Sequence, residues 1–345
     1  MKKQRNESLD IIGGLLIIHM ISGHIFGNFT QLDECSFFRI ERFLLFFFMP
    51  WFFFKGGMFF KHNPDYKAFA QKSFKRLMIP FLFWGIIGTF FFLFYVATSE
   101  YNSVLGWYLA PIKFLIDVGS FLGNEPLWFL LSLFIAKVVY NYCFNNKVLT
   151  WIWITVSVVV PSGFYYAEFI SLPIVSHSLL GFFFFHCGYQ LREKQYLAKL
   201  FITSIGFYLA IVVFSPTFVG MYRNGLVFGD CYLIYFPYAF VAIIVCNNIF
   251  RYFAPSRCNK ISQIIHIQQI TTILESVGRN SMNYLVTHWI LLLIIKTIMV
   301  NFLGVNNSWT KFWVMVIACI LILPLLSRVL NHPHFDIVMG KNKRS

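Results

Sequence analysis

The chain has 345 residues, 58% of them hydrophobic and only 12% charged, with 44 phenylalanines and a formal net charge of +14. Soluble domains carry about 25% charged residues, and a fold in water could not hide this much apolar surface, so a soluble protein is excluded and the solvent is lipid. Nucleic-acid binding is excluded by placement, because the lysines and arginines gather at the ends of alternate apolar blocks rather than on one face.

A membrane β-barrel alternates apolar and polar residues in segments of ~10 residues, and blocks such as "FLLFFFMPWFFF" (residues 43–54) do not alternate. The fold class is therefore all-α, a polytopic helical bundle. A crossing helix needs about 20 mostly apolar residues. Ten segments qualify: 9–27, 37–60, 74–97, 126–144, 149–167, 172–191, 198–218, 230–250, 282–303 and 309–330. No internal repeat of the kind common in transporters appears, and residues 1–345 read as one integral membrane domain. The N-terminal "MKKQRNE" precedes an apolar run without a small-residue cleavage site, so it reads as a retained first span.

Basic residues occupy every second connection: Lys2, Lys3 and Arg5; Lys61, Lys67, Lys72, Lys75 and Arg76; Lys147; Arg192, Lys194 and Lys199; Arg251, Arg257, Lys260 and Arg279; Lys341, Lys343 and Arg344. The opposite connections carry Asp33, Glu34, Glu100, Asp117, Glu125, Glu168 and Asp230. This alternation places both termini in the cytoplasm. Residues 98–125 are too broken to span and read as an interfacial or re-entrant segment on the outer side. The amphipathic "ISQIIHIQQITTILESV" at 261–277 is expected to lie against the cytoplasmic face. The seven cysteines form no CxxC pair and serve as small apolar fillers.

Ionisable groups inside a bilayer are expensive and mark candidate sites. In the first span, Asp10, Gly13, Gly14, Ile17, Ile21 and His24 fall at helical offsets 0, 3, 4, 7, 11 and 14 and share one face. Asp10 and His24 are thereby separated by about 21 Å along the axis, with Asp10 at the cytoplasmic mouth and His24 in the outer half. The two glycines leave a notch that serves close helix packing or a functional group, and a buried histidine is a structural donor or a reactive one. His19 points elsewhere and reads as structural. Lys55, Lys296 and Arg328 are the other intramembrane cations; Lys296 and Arg328 have the reach to snorkel. No HExxH, Cys/His cluster, GxSxG elbow or Walker A loop is present. No metal and no bound cofactor is expected, and chemistry falls to His, Asp or Glu within helices.

Together these motifs resemble the acyltransferase-3 family of integral membrane acyltransferases, which O-acylate bacterial surface sugars. "LDIIGGLLIIHMISGH" is similar to the family's LDxxRG start, with Leu9, Asp10, Gly14 and His24 matching. "FFMPWFFFKGGMFF" at 47–60 resembles its second span, and Lys72, Arg76, Leu77 and Pro80 fit its KxxxRLxxP run. "PLWFLLSLF" at 126–134 and "GRNSMNYLVTHWI" at 278–290 are similar to its fourth-span and late motifs. The chain departs from the family at Gly13, where an arginine is usual, and at Lys55, where a serine is usual. The expectation is that the cation has moved from the first span to the second, with Lys55 reaching the Gly13 notch and pairing with Asp10 or meeting the anionic donor.

The resemblance implies a multi-pass protein of the bacterial cytoplasmic membrane that transfers an acyl group from acyl-CoA, most often acetyl-CoA, to a glycan or lipid-linked sugar. It implies His24 as general base, or as carrier of a covalent acyl-imidazole. Asp10, Lys55 and Glu125 accompany it as catalytic candidates. Lys72, Lys75, Arg76 and Arg279 are candidate ligands of the donor phosphates, although positive-inside topology alone accounts for them equally well. Trp128 and His288 are candidate acceptor contacts, or an aromatic-belt anchor and a packing residue. Two other readings stay open: a transporter of polysaccharide intermediates, from the ten spans, and a member without catalysis that acts as an assembly partner, from Gly13.

Overall fold

A computed structural model describes residues 6–32, 44–98, 110–166, 173–214, 220–222, 225–227, 232–252 and 265–341. Lys2, Lys3, Arg5, Asp33, Glu34, Glu100, Glu168, Asp230, Arg257, Lys260, Lys343 and Arg344, on which part of the topology reading rests, lie outside these residues, as does the first part of the expected span 37–60.

Twelve α-helices are present among the described residues. They are α1 (Glu7–Gly23, prolonged by a π turn His24–Phe29), α2 (Phe48–Met58), α3 (Tyr66–Thr98), α4 (Ala110–Val118), α5 (Trp128–Cys143), α6 (Lys147–Tyr166), α7 (Pro173–Leu191), α8 (Ala198–Phe214), α9 (Tyr232–Tyr252), α10 (Ile265–Arg279), α11 (Ser281–Thr297, prolonged by a π turn Ile298–Phe302) and α12 (Ser308–Leu330). A three-residue-a-side antiparallel hairpin, Gly220–Tyr222 with Gly225–Val227, interrupts the helices.

Five of the ten expected segments are helices long and apolar enough to cross a membrane: Glu7–Phe29, Tyr66–Thr98, Glu125–Cys143, Ser281–Phe302 and Ser308–Leu330. Lys147–Gly163, Ala198–Ala210 and Tyr235–Arg251 are shorter apolar helices. Helix α7 has spanning length, but two histidines, two serines and a glutamine dilute its hydropathy. Phe90, Trp151, Ile202 and Ile320 are between 65% and 68% exposed on the outer surfaces of α3, α6, α8 and α12. A surface of this kind is stable against hydrocarbon, where the backbone polar groups are already satisfied within helices. Helix α3, with 33 residues, is about 50 Å long and outruns a hydrocarbon core of about 30 Å, which lets its Lys- and Arg-bearing first turns stand clear of the lipid.

The core forms around α1, which is buried on nearly every side by α10, α9, α11 and α2. Its most extensive partner is α10. A methyl group at Gly14 would overlap the Leu274 carbonyl, and one at Gly278 would overlap the Asp10 carbonyl. As α1 advances from Asp10 to Gly14, α10 thus retreats from Gly278 to Leu274, and the two run antiparallel with backbones in contact, the small-residue packing that membrane helices use. The sequence reading placed the amphipathic 261–277 segment on the cytoplasmic face. Its described part lies lengthwise along α1, with Thr271, Val277 and Gly278 buried and Ile270 and Ile273 exposed at 57% and 60%.

A second glycine contact seats α2 on α7: a methyl at Gly57 would overlap the Phe185 carbonyl, and one at Gly188 the Phe54 carbonyl. Trp51 Nε1 donates to Asn247 Oδ1 of α9 at 2.8 Å. At the end of the bundle where α1 begins, Asn331 Nδ2 donates to Asn280 Oδ1 at 2.7 Å, and Asn283 Nδ2 donates to the Ser327 carbonyl at 3.1 Å. The start of α1 and the end of α12 therefore lie at the same end of the bundle.

Gly14→Ala is expected to destabilise the protein, because the added methyl has a carbonyl in its place and two helices must separate to admit it. A loss of about 1–3 kcal/mol, typical of overpacking, read as a lowered thermal transition in detergent, is the expected result; Gly27→Ala, with open space at its Cβ, is expected to be neutral.

Candidate functional site

Asp10 lies in the first turns of α1 and is 4% exposed. Lys55, near the end of α2, places Nζ 3.6 Å from Asp10 Oδ1 and donates to the Leu9 carbonyl at 3.2 Å. Its ammonium sits 5.0 Å from the centre of the Trp51 ring and 3.3 Å from where a Cβ on Gly13 would be. A side chain at position 13 would claim the volume that the Lys55 head fills. Arg279, at the end of α10, brings Nε to 4.0 Å from Asp10 Oδ2 and also pairs with Glu275 one turn back. One buried carboxylate is thus shared by two cations from two other helices. In a low-dielectric setting either partner alone would leave an expensive uncompensated charge.

The other end of the stripe is organised around His24. The α-helix gives way there to a π turn, His24–Phe29, a wider turn that recurs at functional positions. His24 Nδ1 donates to Asn28 Oδ1 at 3.1 Å, an assignment fixed by the amide oxygen's being an acceptor only. This leaves Nε2 as the basic nitrogen. The ring stacks on His288 at 5.4 Å between centroids and meets the edge of Trp289 at 4.8 Å. His288, fully buried on α11, donates from Nδ1 to the Tyr284 carbonyl at 2.8 Å. Its Nε2 is a buried acceptor that finds no hydrogen-bond partner among the described residues. His19 packs edge-on against Phe48 at 5.2 Å, away from this cluster.

Glu125 opens a 3-10 turn, Glu125–Leu127, which packs against α11 and leads into α5. The turn is fixed from three sides. Asn124 Nδ2 donates to the Val286 carbonyl of α11 at 2.9 Å and to the Trp84 carbonyl of α3 at 3.3 Å. Ser120 Oγ donates to the Glu125 carbonyl at 2.7 Å, and Gly123 adopts a φ of 86° against the backbone of Gly88. Trp128, buried at the start of α5, stacks on His177 of α7 at 4.2 Å. The structure therefore brings His24 and His288 into contact and sets the Glu125 turn beside the same helix, α11. Trp128 is placed with α7, in a separate aromatic stack.

Lys72, Lys75 and Arg76 are all exposed on the first turns of α3, and Gly340 of the C-terminal turns rests against the carbonyls of Lys75 and Arg76. Lys137 of α5, whose ammonium lies 5.5 Å from the Phe69 ring centre, is within electrostatic reach of Arg76 and Lys72 and extends this basic group. Arg279, grouped with them from sequence, joins Asp10 and Glu275 instead.

Asn28, Asn124, Trp289 and Lys137 were not singled out in the sequence. A helical spacing of four flags Asn28 beside His24 in hindsight, whereas the others act across helices and have no local signature.

The shared volume at Gly13 yields a test that needs no activity. Gly13→Arg alone is expected to destabilise the protein by about 1–3 kcal/mol, since two cations then compete for one cavity; Gly13→Arg combined with Lys55→Ser is expected to recover most of the lost thermal stability, and simple additivity of the two changes would show that positions 13 and 55 do not share a space.

Comparison with curated proteins and with solved structures finds no match to the chain. A family model does match: the acyltransferase-3 model, described as an acyltransferase domain, covers residues 6–328. The match takes in both ends of the α1 stripe, the Lys55 segment of α2, the basic turns of α3, the Glu125 turn and His288. The chain belongs to the acyltransferase-3 family of membrane proteins.

Proposed function

We propose that this protein is a membrane acyltransferase that O-acylates a sugar hydroxyl, with cytoplasmic acyl-CoA, most simply acetyl-CoA, as donor and a lipid-linked or surface glycan as acceptor. The observation that carries the reading is the His24 imidazole. Its Nδ1 is engaged by Asn28 and its face is set on His288, while the same helix begins at a carboxylate held by two cations. One helix thereby links a charge-compensated buried cluster to a basic nitrogen.

In this reading the Asp10 end faces the cytoplasm, and Lys72, Lys75 and Arg76, with Lys137, meet the phosphates of the donor as point charges. The thioester enters between α1 and α2, past Lys55. His24 Nε2 removes the proton from the acceptor hydroxyl as its oxygen attacks the thioester carbonyl. The new C–O bond forms, the C–S bond breaks, and the CoA thiolate leaves, taking up a proton on release. A neutral imidazole has an unperturbed pKa of about 6.5 and suits the task near neutral pH. Glu125, His288 and Trp128 are assigned to the acceptor side. The ammonium of Lys55 beside Gly13 supplies the positive charge that family members carry on the first span, which favours an active enzyme over a silent relative.

Radiolabelled acetyl-CoA presented to the purified protein with a panel of lipid-linked sugars tests the reaction. His24→Ala is expected to lower transfer by about 10²–10⁴-fold, the usual worth of a general base, with unchanged expression and thermal stability, while His19→Ala has little effect. Transfer at the wild-type rate by His24→Ala would remove the assignment. Orientation is checked separately: single cysteines at 61–65 are expected to react with a membrane-impermeant reagent only after the cytoplasmic face is opened.

A further inference from the structure

His288 carries an acceptor that the fold itself does not use. Its Nδ1 lies 2.8 Å from the Tyr284 carbonyl. A carbonyl oxygen only accepts, so the ring proton is on Nδ1 and the lone pair on Nε2. That lone pair is fully buried and has no partner among the described residues. A buried polar atom without a hydrogen bond is costly, and the few that folded proteins retain call for an explanation. Its position supplies one. The His288 ring lies nearly parallel to that of His24, at an interplanar angle of 22° with centroids 5.4 Å apart. His24 donates from Nδ1 to Asn28 Oδ1, so two neighbouring imidazoles are set in the same tautomer by unrelated partners, a helix carbonyl and a side-chain amide. Both carry the lone pair on Nε2. Trp289, the residue after His288, meets His24 edge-on and packs on Phe29, which holds the pair together. His24 is half-buried and His288 fully buried, so a ligand meets His24 first and His288 further in.

Two adjacent acceptors call for two donors on one molecule. A hydroxyl that is to be acylated gives its single proton to His24 and has none left for His288, so a second O–H is needed beside the first. Hydroxyls on neighbouring carbons of a sugar ring supply it. A hydrogen bond of about 2.8 Å at each end, with the two oxygens between, bridges rings whose centroids are 5.4 Å apart. We propose that His288 Nε2 accepts a hydrogen bond from the hydroxyl next to the one being acylated, so that the acceptor substrate is a vicinal diol and His288 selects which of its hydroxyls reacts. The oxygen that is acylated is the one at His24, and its neighbour is turned toward α11. His288 takes up no proton in this arrangement and acts on specificity alone. An analogue without the second hydroxyl leaves Nε2 unpaired, the difference by which hydrogen-bonding sites discriminate most strongly. The inference deepens the acyl-transfer reading and rests on it for its meaning but not for its test.

The test is protection of His24 from diethyl pyrocarbonate in the full-length protein in neutral detergent, without acyl donor, read by mass spectrometry of the His24 peptide. The probes are cis- and trans-cyclohexane-1,2-diol, 2-methoxycyclohexanol and cyclohexanol. One of the diols is expected to protect at about tenfold lower concentration than either single alcohol, the equivalent of one hydrogen bond. His288→Phe keeps a ring in the stack without an acceptor and is expected to erase that advantage. His288→Gln, whose amide oxygen accepts, is expected to restore part of it. Diols no more protective than cyclohexanol overturn the proposal on the unaltered protein alone, whether or not His288→Phe folds. An unchanged diol advantage in folded His288→Phe does so as well. If His288→Phe weakens protection by desulfo-coenzyme A instead of protection by the diol, Nε2 serves the amide N–H groups of the donor and the proposal falls. Because protection is read without turnover, a protein that a diol protects but that transfers no acetyl group separates failure of the acyl-transfer reading from failure of this one.

Discussion

Helices α1 and α10 touch backbone to backbone, and much of the remaining structure depends on that contact. Gly14 and Gly278 remove the side chains that would otherwise hold the two axes apart. In hydrocarbon the gain from such an approach is dispersion between closely fitted surfaces rather than release of water. The approach also carries Arg279 to the Asp10 carboxylate. The same stretch of α1 bears Gly13, whose missing side chain admits the Lys55 ammonium from α2. Steric room and charge compensation are thus two consequences of one packing arrangement. Asp10 is affordable inside the bundle because three helices converge where its oxygens are.

From that anchored end α1 runs as a straight register to His24. The helical rise sets the separation of the two ends, about 21 Å, so nothing else in the fold has to measure it. The change to a π turn at His24 alters which residues face α11, and Asn28 comes into reach of the imidazole one turn on. Helix α11 ends in a π turn as well, at Ile298–Phe302, and it supplies His288, Trp289 and Lys296 to the same end of the bundle. Two widened helix ends make this region different from the α-helical packing of α1 and α11 at their other ends.

The aromatic content serves two environments. Phe53, Phe54, Phe184 and Phe185 are fully buried between α2 and α7, where rings fill the space left around the glycine contacts and interlock edge to face. Phe90 and Trp151 face outward and are stable only because the surroundings are apolar. The same residue type therefore reports core or lipid according to which side of a helix it occupies.

Composition by itself determined the solvent, since 58% hydrophobic residues cannot be covered by water-facing groups. Length and hydropathy picked out helices α3, α5, α11 and α12, because crossing a bilayer imposes a minimum apolar run that a single strand of sequence either has or lacks. Helical periodicity also placed Asp10, Gly13, Gly14 and His24 on one face, and motif resemblance pointed to the family. Partners were beyond its reach. Periodicity gives the direction in which a side chain leaves its own helix but not which helix receives it. For that reason the pairing of Asp10 with both Lys55 and Arg279, the stacking of His24 on His288 and the tie from Asn124 to α3 and α11 belong to the tertiary structure. Amphipathic segment 261–277 shows the limit most clearly. Its periodicity gives it an apolar side but not the helix it meets. The close approach through Gly14 and Gly278, a contact between residues far apart in the chain, sets its flank on α1 while Ile270 and Ile273 stay exposed.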